Sequence, residues 1–318
     1  FTLSCKFNLK FILKGGILMQ QKGREAGSSE EIELKLALPA ASIPMVKRHP
    51  LLLSHDARQH TLANTYYDTP EGLLAGQRMA LRLRHYDGQV LQTVKTAGLG
   101  GGGLSARGEW EWPLEQATLD IDGMKDLPPF ADIDPAQLAD LTPQLETNFR
   151  RIRWEIEYSG TQIEVVLDEG EIVSGQYTTP IREIELELKS GQAEILWEVA
   201  TLIAKAAPLR PSDSSKAVRG KWLAEQHWPL PDGCSPSALL HRATLALDAW
   251  HDSQYVAHLD TALDSLRQLA AHPALENTQR KLAEQLVAGL DSHGQPDTHY
   301  GLAALALARR LGEPGALS

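Results

Sequence analysis

The stretch Glu31-Ile-Glu33-Leu-Lys35-Leu-Ala37-Leu38 decides the fold of this chain. Charged side chains occupy every second position from Glu31 to Lys35, and apolar side chains fill the positions between them and continue to Leu38. Successive side chains of a β-strand point to opposite faces of a sheet, so this period of two predicts a strand. One face of that strand is charged and the other is apolar.

The same period of two continues as far as residue 189 and predicts the rest of a sheet. Turn signals such as Asp87-Gly88 and Ser159-Gly160 separate neighbouring segments, as hairpins require. The further strands are predicted at Leu62–Tyr67, Met79–Arg84, Gly88–Thr96, Arg107–Leu114, Arg151–Tyr158, Gln162–Asp168 and Ile181–Lys189. About eight antiparallel strands are enough to close a β-barrel.

Helical periodicity replaces the period of two after residue 190. Apolar residues at helical spacing predict helices over Gln192–Ala206 and Ser214–Gln226, and sequence rich in Ala and Leu predicts about three more helices further on. The Pro-containing stretch 227–236 is typical of a linker. We therefore predict an α+β protein, in which residues 29–226 form a closed, eight-stranded antiparallel barrel with flanking helices. Residues 237–318 are predicted to form a small all-α domain.

The first 28 residues are interpreted as a leader. Lysines interrupt their apolar residues and no small-residue cleavage site follows, so the segment does not fit a targeting signal. Met19 is the expected start of natural translation. Residues 1–28 are accordingly expected to be foreign to the domain or disordered.

Composition limits the class of protein. The chain has 318 residues, of which 42% are hydrophobic, and 41 acidic residues against 31 basic ones give a net charge of -10. This charge argues against nucleic acid and membrane partners, and no apolar run reaches the ~20 residues that cross a bilayer. Cys5 and Cys234 fit neither a disulfide framework nor a zinc site, which favours a reducing, cytoplasmic location.

The period of two does not reveal which face of the sheet is inside. In most antiparallel sheets the apolar face forms the core and the charged face meets water. Here the charges are dense and sorted by sign, with carboxylates on the first and last strands and arginines on the middle ones. The helices also need an apolar sheet surface to cover. From the residues alone, both arrangements remain open.

Charged faces that point inward would create a site for polyphosphate. Glu31 and Glu33, about 6.6 Å apart along one strand face, would lie opposite Glu183 and Glu185 and form a cluster of oxygens. Such anions stay ionised together only with cations between them, and Mg²⁺ or Mn²⁺ suits oxygen ligands. Arginines on the other strands would bind phosphate oxygens through their guanidinium groups.

The motif Glu31-x-Glu33-x-Lys35 resembles the ExExK signature of the CYTH domain, the family of triphosphate tunnel metalloenzymes. Further segments that resemble the family follow in the expected order: Asn64-Thr-Tyr-Tyr67-Asp68, Arg82-Leu-Arg84, Lys95, Arg151, Gln162–Asp168, Glu183-Ile-Glu185-Leu-Glu187 and Ser214-Ser-Lys216-Ala-Val-Arg219. Together they cover about residues 30–222. The likeness is greatest to bacterial inorganic triphosphatases, in which a CYTH domain precedes a CHAD-like helical domain.

The resemblance implies a tunnel lined by the charged faces. It implies metal ligation by Glu31, Glu33, Asp168, Glu183, Glu185 and Glu187. It implies triphosphate binding by Lys35, Arg82, Arg84, Lys95, Arg151, Arg153, Lys216 and Arg219, with Arg107 as a further candidate. Glu31, Glu33 and Lys35 are expected to be catalytic, and Lys216 is expected on a helix that closes one tunnel end.

The implied reaction is metal-dependent hydrolysis of tripolyphosphate to pyrophosphate and phosphate, with Mg²⁺ or Mn²⁺ as cofactor. Two alternatives stay open. The same tunnel could act on a nucleoside or thiamine triphosphate, or cyclise ATP as class IV adenylyl cyclases do. Alternatively, the chain could be a regulatory module that binds longer polyphosphate.

The helical tail departs from a CHAD domain, because basic pairs are few in it. Its histidines lack a tight ligand spacing; they are His241, His251, His258, His272, His293 and His299. We expect a shortened scaffold packed on the barrel, with these histidines as ordinary surface residues.

Overall fold

The computed structural model describes residues 29–312, so the predicted leader and residues 313–318 lie outside the described residues. Within that range one antiparallel sheet contains ten strands. They are β1 (Ser29–Ala37), β2 (Ala57–Asp68), β3 (Met79–Tyr86), β4 (Gln89–Thr96), β5 (Leu99–Gly101), β6 (Leu104–Leu114), β7 (Thr142–Tyr158), β8 (Thr161–Ser174), β9 (Tyr177–Ser190) and β10 (Arg210–Pro211).

Eight of these strands close into a barrel, in the order β1-β9-β8-β7-β2-β3-β4-β6, and β6 then pairs back with β1. They are the eight strands that the period of two predicts, so the predicted fold class is confirmed. The short strands β5 and β10 pair with β6 and β1 beside the ring. They were not predicted, because segments of three and two residues are too short to show a period.

Ten α-helices accompany the strands within residues 29–312. They are α1 (Ile43–Lys47), α2 (Pro50–Leu53), α3 (Leu73–Gly76), α4 (Ile121–Lys125), α5 (Glu194–Ala206), α6 (Lys216–Glu225), α7 (Pro236–Ser253), α8 (Val256–Ala270), α9 (Asn277–Ala288) and α10 (Thr298–Leu311). The predicted helices near 192–206 and 214–226 are α5 and α6, and the described tail contains four helices instead of about three. None of the described helices combines the length and apolar character needed to span a membrane.

The outer face of the barrel is apolar and is covered by helices. Leu34 of β1 and Leu186 of β9 belong to one continuous core that includes Val199 of α5 and Leu247 of α7. Burial of this surface removes a large apolar area from water and is the main stabilising term of the fold. The tail therefore packs directly on the barrel and shares its core.

A second apolar cluster covers the opposite part of the outer face. Leu81 of β3 and Val94 of β4 pack there against Met124 and Phe130, which lie in the connection between β6 and β7. Both clusters occupy the apolar faces of the strands. The alternation within each strand then places the charged faces inside the barrel.

Helix α6 packs against the inner, apolar surface at one end of the barrel. Leu145 of β7 and Ile172 of β8 lie against Gly220 of this helix, and Ala217 joins the same cluster. A Cβ atom at Gly220 would lie 2.6 Å from Leu145 Cδ2 and 3.1 Å from Ile172 Cγ2. The absence of a side chain at Gly220 lets α6 approach the barrel wall this closely.

Replacing Gly220 with Val is expected to lower the free energy of unfolding by about 1–3 kcal/mol, the usual cost of overpacking a tight contact. The control is Ala224→Val, because Ala224 is exposed on the same helix. The control adds the same β-branched side chain without the clash and should change stability by about 0.5 kcal/mol. Urea-induced unfolding measures both, and equal losses would contradict the packing of α6 against Leu145 and Ile172.

Candidate functional site

The inner face of the barrel encloses a cavity of about 1180 Å³. Most of the residues that the sequence assigns to the site line it: Glu31, Glu33, Lys35, Arg82, Arg84, Lys95, Arg107, Arg151, Arg153, Glu185, Glu187 and Lys216. Asp168, Glu183 and Arg219 do not line it. Asp168 and Glu183 are almost fully buried, with exposed fractions of 0% and 2%.

Three carboxylates on neighbouring strands form an acidic group at one end of the cavity. The strand register sets Asp168 of β8 directly beside Glu183 of β9, and Glu185 lies two residues further along the same face. One oxygen from each carboxylate lies within 4.8 Å of the others. We call Asp168, Glu183 and Glu185 the acidic trio.

Two cations offset part of the negative charge of the acidic trio. Lys216, the first residue of α6, places its Nζ 2.8 Å from Asp168 and 3.2 Å from Glu185, and it also forms an ion pair with Glu183. Arg151 of β7 binds both oxygens of Asp168 at 2.7 Å and reaches Glu185 at 3.2 Å. Lys216 and Arg151 reduce the repulsion among these buried carboxylates.

These ion pairs shift the acidity of the acidic trio in different directions. Burial alone would raise the pKa of Glu185, but Lys216 and Arg151 hold that pKa well below its ordinary value. Asp168 follows the same balance and its pKa is lowered. Burial and the neighbouring Glu185 carboxylate raise the pKa of Glu183, although Lys216 opposes them. Glu183 is therefore the member of the trio that binds a proton most readily.

Glu31 and Glu33 lie outside the acidic trio and pair with other cations. Lys95 and Arg107 each lie 2.8 Å from Glu31, and Arg107 also lies 2.9 Å from Glu33. Burial raises the pKa of Glu31, but the two cations outweigh it and the net shift is downward. Glu31 therefore stays ionised throughout the physiological range.

The register differs from the one expected for these glutamates. Glu33 lies opposite Glu187, and Lys35, not a glutamate, lies opposite Glu185. Among the described residues, the group of acidic side chains close enough to share one ion is the acidic trio, and it includes neither Glu31 nor Glu33.

Arg82 and Arg84 on β3 form a basic wall. Arg82 donates from Nε to Thr93 Oγ1 at 3.2 Å, and its nearest carboxylates are 3.8 Å away. Arg84 donates from Nε to Asn64 Oδ1 at 2.9 Å and reaches Glu111 only at 4.0 Å. Neither guanidinium makes the short bidentate contact that Arg151 makes with Asp168.

Arg84 is a buried cation that its surroundings do not fully compensate. Burial lowers its pKa to about 10, and the charges of Arg82 and Arg151 contribute in the same direction. Crowded guanidinium groups disfavour the charged form until an anion arrives. Arg84 is therefore prepared to receive an anionic ligand. Burial opposes the charge of Arg82 as well, but neighbouring Tyr66, Glu109 and Glu111 outweigh it and raise the pKa of Arg82.

The other predicted residues have partners at the edges of the cavity. Lys35 donates from Nζ to the Ser214 carbonyl at 2.6 Å. Arg153 lies 2.6 Å from Glu164, and Glu187 pairs with Lys189. Burial raises the pKa of Glu187.

Arg219 of α6 lies away from the cavity lining. It binds Asp252 of α7 at 2.7 Å and approaches Glu183 at 3.8 Å. Its role in the structure is to connect α6 with the tail and to bring positive charge near the acidic trio.

The sequence does not predict the role of every residue in the cavity. Asn64 belongs to a motif that resembles the family, but no sequence pattern predicts its contacts. Its Oδ1 accepts a hydrogen bond from Arg84, and its Nδ2 donates one to Thr147 Oγ1 at 3.0 Å. Asp213 and His241 also line the cavity. His241 was expected to be an ordinary surface residue, and no motif links it to a carboxylate 28 positions away.

Residues 29–220 match the CYTH domain family. The inorganic triphosphatase of Haemophilus influenzae is 36% identical to the chain over 203 residues. That match spans 63% of this chain and 56% of the relative, so the chain spans little more than half of the relative's length.

Two solved structures show a weaker likeness. One is HpAC1 from Hippeastrum, described as having a dominant triphosphatase activity. It is 21% identical and has a TM-score of 0.45, over 60% of this chain and 95% of that one. The other is the PH1819 protein of Pyrococcus horikoshii, which is 17% identical and has a TM-score of 0.42, over 59% of this chain and 96% of that one. Neither likeness is strong enough to carry a conclusion about this chain.

Proposed function

The chain belongs to the CYTH domain family, and from that membership we propose that it is a metal-dependent inorganic triphosphatase. It would hydrolyse tripolyphosphate to pyrophosphate and phosphate inside the barrel. The name of the Haemophilus influenzae relative supports this substrate class.

The position of Arg82 and Arg84 relative to the acidic trio carries the proposal. Strand β3, with Arg82 and Arg84, lies four strands from β9, which carries Glu183 and Glu185, in a ring of eight. The two strands therefore form opposite walls. A chain of phosphates bound between them would meet Arg82 and the incompletely compensated Arg84 on one side and the carboxylates proposed to bind metal on the other, an arrangement that suits phosphoryl transfer.

The acidic trio suits a hard divalent cation. Its oxygens lie within 4.8 Å of one another, and carboxylate oxygens are the ligands that Mg²⁺ and Mn²⁺ prefer. We propose that Glu185, which lines the cavity, binds the metal together with Asp168 and Glu183. Glu31, Glu33 and Glu187 remain proposed ligands on the basis of the family resemblance. When bound, the metal would neutralise phosphate charge.

The cations of the cavity are proposed to bind the triphosphate. Arg82 and Arg84 supply guanidinium donors, and the charge they present would stabilise the pyrophosphate that leaves. The same role is proposed for Lys35, Lys95, Arg107, Arg151, Arg153 and Lys216. Arg219 is proposed to act indirectly, through its contact with Glu183, because it does not line the cavity.

Glu31 and Glu33 are proposed to orient the attacking water with Lys35. The lowered pKa of Glu31 makes it a stable hydrogen-bond acceptor and a poor proton acceptor. We therefore assign Glu31 to positioning of the water by accepting a hydrogen bond from it.

Phosphate release in the presence of Mg²⁺ tests the function. Tripolyphosphate, ATP, thiamine triphosphate and long polyphosphate are compared at equal concentration. We expect tripolyphosphate to be cleaved fastest, because many cations line the cavity and no sequence motif indicates a pocket for a base. Glu31→Gln is expected to reduce the rate by about 10²–10³-fold, the usual effect of losing one positioned polar group.

Each other outcome identifies a different function. Equal rates with tripolyphosphate and ATP would favour an organic triphosphatase, and formation of a cyclic nucleotide would favour a cyclase. Binding of long polyphosphate without any hydrolysis would favour a regulatory module. Full activity of Glu31→Gln would contradict the role proposed for this residue.

A further inference from the structure

Helix α7 of the tail is fixed to the loop that leads into α6. Asp248 of α7 is almost fully buried and accepts hydrogen bonds from Ser212 Oγ at 3.1 Å and from the backbone amides of Asp213 and Ser214 at 3.2 and 3.1 Å. Its second oxygen pairs with Arg210. The loop therefore keeps a fixed position relative to the tail, and it borders the cavity.

Asp213 in this loop holds a histidine of the tail. One of its oxygens accepts a hydrogen bond from the Gly103 amide at 2.7 Å, and the other lies 2.7 Å from Nδ1 of His241 on α7. The Asp213 side chain is 7% exposed and that of His241 is 39% exposed. With Nδ1 bound to a carboxylate, the imidazole ring is fixed and Nε2 is its remaining polar atom.

His241 lines the same cavity as Lys35 and Lys216, at the end near α6. The hydrogen bond that Nδ1 donates to Asp213 raises the pKa of His241; burial opposes this, and the charges of Asp213 and Asp248 add to it. Gly103, which donates to the other oxygen of Asp213, carries no charge. These surroundings therefore favour the imidazolium form of His241.

We propose that His241 is a substrate-binding residue that the helical tail contributes to the tunnel, and that its imidazolium ring binds a phosphate oxygen of the triphosphate. This inference rests on the proposed function. Asp213 is a positioning residue that orients the ring, and Asp248 fixes the loop that carries Asp213. The tail then completes the binding site as well as covering the outside of the barrel.

A titration of the histidine signals by nuclear magnetic resonance tests the contact directly. The probe is tripolyphosphate in the presence of a chelator, with saturation of the full-length protein verified by calorimetry in the same sample. Because the ligand is a polyanion, it should stabilise the imidazolium form and raise the pKa of His241 further. An unchanged titration of His241 in the saturated protein would overturn the proposal.

Variants separate binding from folding. His241→Gln should raise KM for tripolyphosphate about tenfold below the pKa of His241, the value of one charge-assisted hydrogen bond, with a smaller change in kcat. The difference should fade at alkaline pH, where the wild-type ring also loses its charge. His241→Lys should restore a low KM and keep it low at higher pH, because a lysine side chain stays charged there.

The matched control is His299→Gln. His299 lies on α10 of the same tail and pairs with Asp297 at 3.3 Å, but it is 77% exposed and does not line the cavity. Its replacement should leave KM unchanged. A loss in His241→Gln that affects kcat alone, or that His241→Lys does not rescue, would overturn the proposal.

The two proposals fail in different ways. If the protein binds tripolyphosphate and the pKa of His241 rises, but no substrate is hydrolysed, the histidine contact stands and the enzymatic function falls. If hydrolysis is rapid but the ligand does not change the pKa of His241, the enzymatic function stands and the histidine contact falls. If tripolyphosphate does not bind at all, both are wrong.

Discussion

Glu185→Gln is expected to reduce tripolyphosphate hydrolysis by about 10²–10³-fold and to shift the Mg²⁺ dependence to higher concentrations. Glu185 is the member of the acidic trio that lines the cavity, whereas Asp168 and Glu183 are almost fully buried. The amide of Gln offers a neutral oxygen in place of an anionic one, so a hard cation is bound more weakly. The fold should persist, because Arg151 and Lys216 both keep Asp168 as a partner.

The matched control for this loss is Glu109→Gln. Glu109 lines the same cavity and its side chain is 18% exposed, against 15% for Glu185. It pairs with Lys95 at 3.1 Å and lies outside the acidic trio. We expect at most an about fivefold loss of rate, since one hydrogen bond to Lys95 contributes about 1 kcal/mol. The Mg²⁺ dependence should not change, because Glu109 lies outside the acidic trio.

Activity is measured for both variants across a range of Mg²⁺ and of Mn²⁺ concentrations, with circular dichroism as a check of folding. Equal losses in Glu185→Gln and Glu109→Gln would show that any carboxylate of the cavity matters equally. That result would contradict the assignment of the metal to the acidic trio.

Arg84→Met and Arg151→Met are expected to differ in their effect on stability although both strongly reduce activity. For Arg84→Met we expect an unfolding free energy within about 1 kcal/mol of the wild type, or above it. For Arg151→Met we expect a loss of about 3–5 kcal/mol, the cost of leaving a buried charge without its partner. Hydrolysis should fall by about 10²–10³-fold in both variants.

The difference follows from what each guanidinium contacts. Arg151 binds both oxygens of Asp168 at 2.7 Å, and this carboxylate is fully buried. Arg84 has its nearest carboxylate at 4.0 Å and its pKa is lowered to about 10, first by burial and then by neighbouring arginines. A lowered pKa means that folding disfavours the charge on Arg84, so its removal relieves the folded state. The amide of Asn64 loses one hydrogen bond, which offsets part of this gain.

Urea-induced unfolding without ligand measures both stabilities, and phosphate release measures both activities. A large loss of stability in Arg84→Met would show that Arg84 is a structural ion-pair partner. Full activity in that variant would show that the basic wall does not bind the substrate. Either result would remove the main support for a triphosphate between the two walls of the cavity.

The sequence by itself determined the strands and the chemistry available to them. A period of two, maintained from Glu31 to Lys189, predicted the eight barrel strands, because alternation is a local property that each strand carries independently. The order of motifs also identified the family, and the charged residues that line the cavity could be named from it. The sequence did not predict the short helices α1 to α4, since four or five residues cannot show a helical period.

Only the tertiary structure decided which of these charges are neighbours. The helices and the tail cover the apolar outer face, and that packing turns the charges inward. The register sets Lys35 opposite Glu185 and Glu33 opposite Glu187. Glu185 therefore belongs to a group with Asp168 and Glu183, and not with the glutamates of β1. Strand alternation specifies a face but not a register, which depends on pairing between distant segments.

The contribution of the tail has the same origin. His241 meets Asp213 across 28 positions, and Asp248 meets Arg210 across 38, through a loop and a helix that no motif connects. Ion pairs between distant segments depend on the core, which brings their backbones together. The residues next to each partner in the sequence do not predict them. The sequence therefore determined what the cavity contains, and the packing of the tail on the barrel decided which groups act together.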